Sequence, residues 1–447
     1  MRIHCKKGLN LPLKGAPSGT LQKGPNPTSV ALDLSSFRRI QFKLLIKEGD
    51  AVQTGQPLVY DKKCEKRVFV SPASGTVQSI VRGEKRRLLQ IIIAPSTERT
   101  FVEHQLPNLQ TVSREELVEL LLKAGLFPYI RQRPCNVLAD PSKTPKSIFI
   151  NAATSSPFAP PAELIIRGHE TDFQLGIQTL AKLTEGKVHL LYREECSLQA
   201  ITQAENVEKH TVSGPHPSGN TSLHIEKIDP IVDSHETIWT MHVQDVLRLG
   251  QLMHRGVFCP TQVVAIGGES APEDKRTYFE TTLGIAYSDL AGQPPEKTRL
   301  ISGDILTGST ATHLGFYDNI FTLIPEKTDK REVLHFFRLG GKKYTASKAY
   351  LSGFTSKKPF SFDTNLHGEE RAFVDGTIYD NYMPLNISTM HLVKAILAED
   401  FEAAEELGLL EIASEDFALA TFACPSKIEM VEIVSTGLAS YYENYLQ

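Results

Sequence analysis

Apolar and polar residues alternate with a period of two in the first quarter of the chain. Turns such as Gly49-Asp50 and Gly55-Gln56-Pro57 interrupt this alternation every several residues. The pattern is typical of short antiparallel strands that bury one face. It predicts a small all-β barrel or sandwich built from the strands Phe42–Ile46, Leu58–Tyr60, Val68–Val70, Val77–Val81 and Leu88–Ile93.

Two segments of this region have a recognisable pattern. VQTGQPLV (52–59) and VFVSPASGTVQSIV (68–81) resemble the paired turns of biotinyl/lipoyl-like barrel-sandwich hybrid domains. Glycine suits such turns because it has no side chain to obstruct them. Carrier proteins with this domain present a lysine within Met-Lys-Met, which the corresponding hairpin Lys62-Lys63-Cys64-Glu65-Lys66 lacks. We expect a structural barrel, with covalent biotin or lipoate carriage as the alternative.

Helical periodicity follows the β-rich region. Ser113 is a predicted N-cap, two glutamates occupy the first turn, and leucines recur at helical spacing until Gly125. Further on, the strand-like segments Ile148–Asn151 and Val188–Tyr192 flank a helix predicted over 171–183. Strand, helix and strand in succession indicate an α/β domain.

The last third of the chain has two parts. YFETTLGIAYSDL (278–290) predicts a strand joined to a short helix, and LISGDILTGS (300–309) predicts a strand, which together indicate a small α+β module. From Met390 good helix formers with apolar spacing, broken at Gly408, predict a helical C-terminal region. Residues 336–383 are predicted to be a mixed, strand-rich connection.

Composition and charge exclude several classes of protein. The chain has 447 residues, 41% hydrophobic and 22% charged, with a formal net charge of −4. These values indicate a globular, multi-domain protein. Its small net charge gives no strong electrostatic attraction to nucleic acid or to an anionic bilayer. No apolar run is long enough to span a membrane, and the N-terminal stretch lacks the apolar core of a secretory signal. The six cysteines are scattered singly, so we expect an intracellular protein without a disulfide framework.

Motifs for catalysis are absent from the sequence. It contains no G-x-G-x-x-G after a strand and no phosphate-binding P-loop, and Ser270 lacks the second glycine of a nucleophile elbow. No two of the histidines between 210 and 254 are spaced i,i+2 or i,i+4, so no metal site is predicted. We therefore assign no catalytic, cofactor-binding or metal-ligating residue from the sequence.

Five segments resemble the A subunits of the bacterial sodium-translocating NADH:quinone oxidoreductases (Na⁺-NQR) over essentially the whole chain. In order they are KKGLNLPLKGAP (6–17), GLFPYIRQRP (125–134), GPHPSGNTSLHI (214–225), ISGDILTG (301–308) and GLLEIASEDFALATFACPSK (408–427). The resemblance implies a peripheral protein on the cytoplasmic face of the bacterial inner membrane. Na⁺-NQR is a complex that uses electron transfer from NADH to ubiquinone to drive Na⁺ export. The resemblance therefore implies that this chain is an enzyme only as a subunit of that translocase.

The resemblance also implies partners and cofactors. The expected partners are the other subunits of the complex, especially a membrane-embedded one, and a direct contact with ubiquinone stays open. FAD, FMN, riboflavin and the iron–sulfur centre would belong to those subunits, leaving this chain with a docking and structural role. No membrane-spanning segment and no nucleic-acid partner are expected.

The family is similar in fold to the NADH-binding flavoprotein subunit of complex I and to the C subunit of the Rnf complex. This similarity implies a multi-domain α+β and α/β fold. The expected order is a barrel-sandwich hybrid domain at 1–110, a Rossmann-like α/β domain at 111–256, an SLBB (ubiquitin-like) domain at 257–335, and a mixed connection with a helical C-terminal domain at 336–447.

Those related proteins bind FMN, NADH and an iron–sulfur cluster, whereas the matching positions here differ. Their glycine-rich loop corresponds to 124–129, where this chain has bulky side chains instead of an open backbone. Their clustered cysteines are reduced here to Cys424, with Ala420 where some family members have a cysteine, and one thiolate cannot hold a cubane. We expect both cofactor sites to be lost. The alternative is an FMN-dependent NADH dehydrogenase or Rnf-type electron-transfer module with its own cofactors.

Interface residues are predicted in two polar segments. Arg131 and Arg133 precede a proline, and two prolines and two glycines shape the loop around His216. Such segments favour an exposed, rigid docking surface, although an ordinary rigid turn fits the composition of the loop equally well. The candidates are Arg131, Arg133, Gly214, Pro215, His216, Pro217 and Gly219.

Overall fold

The computed structural model describes residues 1–327, 344–346, 352–355, 358–366 and 371–446. The strands are β1 Arg2–His4, β2 Leu21–Lys23, β3 Val30–Asp33, β4 Phe42–Leu44, β5 Ala51–Val52, β6 Pro57–Asp61, β7 Cys64–Val70, β8 Gly75–Arg82, β9 Leu88–Pro95, β10 Arg131–Arg133, β11 Val137–Leu138, β12 Ser147–Ala152, β13 Lys187–Arg193, β14 Glu208–Ser213, β15 Ile238–His242, β16 Thr261–Gly267, β17 Tyr278–Thr282, β18 Thr298–Ser302, β19 Ser309–Thr310 and β20 Ile320–Pro325. The α-helices are α1 Arg114–Lys123, α2 Ala162–Ile166, α3 Glu170–Ala181, α4 Gln199–Thr202, α5 Thr221–Ile228, α6 Val243–Arg255, α7 Tyr287–Ala291, α8 Ser352–Thr355, α9 Thr377–Asp380, α10 Thr389–Leu397, α11 Phe401–Glu406, α12 Ala418–Ala423 and α13 Met430–Tyr441.

The predicted β-rich region folds into two small antiparallel sheets, confirming the barrel-sandwich expectation. One sheet has the order β3-β9-β8-β5 and the other β4-β6-β7. Leu58, Phe69 and Ile91 are fully buried between them, as the period-two alternation predicts. Gly75 shows why the turn motif needs glycine, because an added Cβ there would lie 2.1 Å from the carbonyl oxygen of Ala94.

The first 23 residues do not join the barrel. β1 pairs in parallel with β14, and β2 pairs in parallel with β17, so the N-terminal segment contributes an edge strand to each of two other sheets. The range predicted for the barrel domain, 1–110, therefore includes strands of three structural units. The sequence pattern did not indicate this because strands of three residues are too short to show a period.

A seven-stranded sheet forms the centre of the molecule. Its order is β1-β14-β13-β12-β15-β10-β11, parallel from β1 to β15, with β10 and β11 antiparallel at one edge. Successive residues of β12 point to opposite faces. Ile148 and Ile150 pack with the apolar residues of α3 and α6, whereas Phe149 packs with α5 and the C-terminal helices. The predicted strands and the 171–183 helix are confirmed, with α3 beginning at Glu170.

Helix α1 follows the sequence prediction closely. Ser113 accepts a hydrogen bond from the backbone N–H of Glu116, whose carboxylate in turn accepts from the backbone N–H of Ser113. This capping box fixes the first turn of the helix. The helix ends before Gly125, which has the positive φ of +69° expected of glycine beyond a helix C-terminus.

A six-stranded sheet, β19-β18-β20-β16-β17-β2, forms the next unit. The predicted strand and short helix over 278–290 are confirmed as β17 and α7. The predicted continuous strand over 300–309 is wrong. β18 ends at Ser302 because the Asp304 carboxylate accepts hydrogen bonds from the backbone N–H groups of Leu306 and Thr307, which turns the chain.

The C-terminal region is helical, as predicted from Met390 onward. Gly408, with φ of +99°, separates α11 from the elements that follow. Much of the predicted strand-rich connection, 336–383, lies outside the described residues, and its described part contains α8, α9 and one isolated bridge between Phe360 and Leu13 rather than a strand ladder. Within the described part of the chain, no helix combines the length and apolarity needed to cross a bilayer.

Candidate functional site

The loop 214–219 connects β14 to α5. Its first two residues are half-buried and the other four are buried. Arg193 fixes it by donating to the carbonyl oxygen of Gly214 at 3.1 Å and to the Ser218 hydroxyl at 2.9 Å. The loop is therefore an internal connection, and its expected exposure is wrong. None of the interface candidates there is exposed: Gly214, Pro215, His216, Pro217 and Gly219.

The N-terminal segment covers this loop around His216. The Asn10 side chain accepts a hydrogen bond from the backbone N–H of His216 at 2.9 Å. The backbone N–H of Leu9 donates to the carbonyl oxygen of His216 at 2.7 Å. The imidazole Nδ1 lies 3.1 Å from the Ser155 hydroxyl. At Gly8, where φ is +127°, an added Cβ would lie 2.1 Å from the His216 carbonyl oxygen. Burial lowers the pKa of His216, so a neutral ring is favoured there.

Arg133 lies in a buried polar cluster between the sheet and the C-terminal region. It is 2% exposed, and its Nη1 donates to the Ser222 hydroxyl at 2.8 Å. Its Nη2 lies 3.8 Å from a carboxylate oxygen of Glu415. Asp416, also buried, accepts from the Asn220 amide at 2.8 Å. Burial lowers the pKa of Arg133, while the carboxylates of Asp416 and Glu415 act in the opposite direction.

Arg131 is half-buried rather than exposed. Its Nη2 donates to the carbonyl oxygen of Asn136, and its guanidinium lies 5.0 Å from the ring centre of Tyr317. The expected exposure of both arginines is wrong, because Arg131 packs against Tyr317 and Arg133 lies beside Glu415, and both of these residues come from distant parts of the sequence. The residues next to the two arginines in the sequence carry no information about Tyr317 or Glu415.

Residues 124–129, where the family resemblance led us to look for a phosphate-binding loop, are all buried and form part of the core. Phe127 is fully buried, and its ring meets Trp239 edge-on at a centroid distance of 5.6 Å. Tyr129, 5% exposed, stacks on Phe316 at 4.5 Å. Such contacts are those of a packed interior, in which the aromatic rings occupy the space beside the backbone.

Residues 124–129 also pack against the barrel and against the unit of the six-stranded sheet. A Cβ at Gly125 would lie 2.5 Å from a methyl group of Val70, so this glycine is needed for the contact with the barrel. On the other side, the Tyr317 hydroxyl donates to the carbonyl oxygen of Pro128 at 2.8 Å. The segment is thus held between three structural units.

A buried cation lies next to the same segment. Arg248 is 1% exposed, its guanidinium lies 4.8 Å from the ring centre of Tyr129, and its Nε donates to the carbonyl oxygen of Cys259 at 3.2 Å. Asp245 forms an ion pair with it. Burial raises the pKa of Asp245 to about 6, even though Arg248 acts in the opposite direction.

Cys424 is fully buried in the C-terminal region. Its Sγ lies 3.1 Å from the Tyr379 hydroxyl and accepts from the backbone N–H of Ile428 at 3.4 Å. Ala420 is also buried and offers no ligand atom. The thiol therefore packs as a small apolar group with a polar neighbour.

One group of possible metal ligands does occur in the described residues: His189 on β13 with Glu208 and His210 on β14. Burial lowers the pKa of His189, and it lowers that of His210 to about 4, with the N-terminal ammonium as the second cause. Spacing among histidines alone does not predict this group. The signal in the sequence is Glu208-x-His210, because residues i and i+2 of a strand share a face.

Comparison with solved structures gives a weak similarity. A NAD⁺-reducing NiFe hydrogenase in the air-oxidized state has a TM-score of 0.37 and 14% identity, covering 78% of this chain and 67% of the other. Family models give a direct match. The NqrA N-terminal barrel-sandwich hybrid domain matches residues 3–96, and the NqrA second alpha/beta domain matches residues 112–258.

Full-length relatives agree with these domain matches. The Na(+)-translocating NADH-quinone reductase A subunit from Chlamydia pneumoniae is 39% identical, over 99% of this chain and 97% of its own length. The protein of the same name from Yersinia pseudotuberculosis is 36% identical, over 96% of each chain. This chain belongs to the family of A subunits of the Na⁺-translocating NADH-quinone reductases.

Proposed function

We propose that this chain is a structural and docking subunit of a Na⁺-translocating NADH-quinone reductase and carries no redox cofactor of its own. It would lie peripherally on the cytoplasmic face of the bacterial inner membrane, bound to a membrane-embedded subunit. Electron transfer from NADH to ubiquinone and Na⁺ export would then be carried out by the assembled complex. The observation that carries the proposal is the packed state of residues 124–129.

A phosphate-binding loop needs backbone N–H groups that a ligand can approach. In 124–129 the side chains of Phe127 and Tyr129 fill the space beside the backbone, and Gly125 is in contact with Val70. Opening this segment for FMN would separate the barrel from the central sheet. The segment thus supports a loss of the flavin site.

Cysteine placement supports the loss of an iron–sulfur site. A cluster needs several thiolates around one cavity, whereas Cys424 contacts Tyr379 and the backbone of Ile428. Among the described residues, no group of three or more possible metal ligands includes Cys424. Electron transfer would therefore bypass this chain.

The test is affinity purification of the complex from mildly solubilised native membranes. The tag belongs at the C-terminus, because the N-terminal strand β1 is part of the central sheet, whereas Tyr445 is 59% exposed. Membranes with the untagged chain are the matched control. Recovery with flavin-containing membrane proteins of the complex and Na⁺-stimulated NADH–quinone activity is the expected result, and the chain released from them by detergent should be colourless.

Two results would contradict the proposal. A released chain with stoichiometric flavin absorbance, or with stoichiometric iron and sulfide, would show that it has its own redox chemistry. Recovery of the chain without any membrane protein of the complex, under conditions that preserve the activity of the complex, would refute the docking role.

A further inference from the structure

Strands β13 and β14 bring three nitrogen and oxygen ligands together at one edge of the central sheet. The two strands are parallel neighbours, with His189 aligned to Glu208 and Leu191 aligned to His210. Glu208 and His210 are two residues apart, so both side chains point to the same face, as does His189 on the adjacent strand. The rigid ladder rather than a flexible loop fixes their relative positions.

The distances fit a shared ion. His189 Nδ1 lies 3.1 Å from His210 Nε2 and 3.8 Å from a carboxylate oxygen of Glu208, and all three ligand atoms lie within 4.8 Å of one another. Ligands on a tetrahedral zinc ion, at bond lengths of about 2.0–2.1 Å, are separated by about 3.3 Å. Small side-chain rotations would bring the three atoms to that spacing.

We propose that His189, Glu208 and His210 form a Zn²⁺ site, which none of the comparisons assigns to this chain. Two imidazoles and one carboxylate are a ligand set that zinc accepts, and a water molecule would complete the tetrahedron. The site would join β13 to β14 beside the N-terminal strand β1. Its role would be to stabilise the sheet edge to which the N-terminus is paired.

The chemical state of the ligands suits a metal ion. Both imidazoles are buried, at 4% and 5% exposure, and each directs one ring nitrogen towards the other ring. In the absence of metal the two nitrogens share one hydrogen bond. When the ion binds, the ring that donated this hydrogen bond changes tautomer and carries its proton on its other nitrogen. Both facing nitrogens, His189 Nδ1 and His210 Nε2, are then free to bind the ion.

Glu208 must exchange one partner to bind the ion. Its carboxylate forms an ion pair with Lys187 at 2.5 Å, with side chains 46% and 67% exposed. Exposed ion pairs of this kind contribute little to stability, so the lysine can be displaced into solvent. The N-terminal ammonium is tied to the neighbouring backbone, because it donates to the carbonyl oxygen of Lys209 at 3.4 Å.

The experiment uses the full chain, freed of metal with EDTA. Co²⁺ titration followed by visible absorbance reports tetrahedral coordination, and Zn²⁺ competition against a chromophoric chelator gives the affinity and stoichiometry. The wild-type chain should bind one Zn²⁺ per molecule and show the intense absorption of tetrahedral Co²⁺. His210→Ala should abolish both signals, and Glu208→Gln should weaken Zn²⁺ binding at least about tenfold.

Two controls keep the result interpretable. His235→Ala removes a histidine outside the cluster and should bind Zn²⁺ like the wild type. Glu208→Gln alters only a surface side chain, so it remains informative if His210→Ala does not fold. Failure of the wild type to bind Zn²⁺ at micromolar concentrations, or equal binding by wild type and Glu208→Gln, overturns the proposal.

Discussion

Truncating Phe127 to alanine distinguishes a packed core from a ligand cradle in residues 124–129. The Phe127 ring is fully buried, lies edge-on to Trp239 at 5.6 Å, and has the Arg67 guanidinium 6.0 Å from its centre. Removing a buried phenylalanine side chain leaves a cavity and costs about 3–5 kcal/mol of stability. We expect Phe127→Ala to lower the free energy of unfolding by that amount.

The neighbouring tryptophan makes the assay selective. Trp239 is the one tryptophan of the chain, so its fluorescence during urea denaturation follows the unfolding of the unit that contains Phe127. Phe101→Ala is the matched control, because Phe101 is 36% exposed and its truncation should cost less than about 1 kcal/mol. Phe127→Leu keeps most of the volume and should cost less than about 1.5 kcal/mol.

The refuting result is specific. If Phe127→Ala is no more destabilising than Phe101→Ala, the ring does not support the core. If Phe127→Ala also gains binding of FMN, the segment is a filled cofactor site, which would support the alternative of an electron-transfer module.

Three further perturbations test other contacts. Gly8→Ala should cost more than about 2 kcal/mol in urea denaturation, because a Cβ would meet the His216 carbonyl oxygen, whereas Gly19→Ala, also at positive φ but with open space, should cost about 1 kcal/mol. Burial lowers the pKa of His224 from 6.5 to about 4, so its contribution to stability is present above pH 6.5 and is lost towards pH 4. His224→Gln should therefore reduce the acid-induced loss of unfolding free energy by about 3 kcal/mol, and an unchanged pH profile would contradict this. Arg133→Met should lower stability by about 1–3 kcal/mol, because the buried Ser222 hydroxyl loses its charged donor and the buried Asp416 carboxylate loses a nearby cation. An unchanged midpoint of thermal denaturation would contradict this.

Local signals predicted the elements that depend on near neighbours. The start of α1 follows from Ser113 and Glu116, which are three residues apart, and the barrel strands follow from their own alternation. In each case the interacting groups are close in sequence. The local sequence therefore contains the information that determines these elements.

Long-range partners account for what the sequence did not predict. The polar segment before Pro134 predicted an exposed Arg133, yet Glu415, which lies beside its guanidinium, comes from the C-terminal region. His189 and His210 meet only because β13 and β14 are adjacent, which no spacing along the chain specifies. The candidate metal site thus becomes visible only with the sheet order.

The pairing of β1 has a consequence for synthesis. Residues 2–4 are synthesised well before their partners, Thr211–Ser213, which follow roughly 200 residues later. At about 5–20 residues per second, the N-terminal segment waits about 10–40 s before its sheet exists. β2 waits longer still, because it pairs with residues 278–280. The barrel can fold during this delay. Strands β1 and β2 are therefore among the last elements to pair, and they stay available to a chaperone that binds unpaired strands.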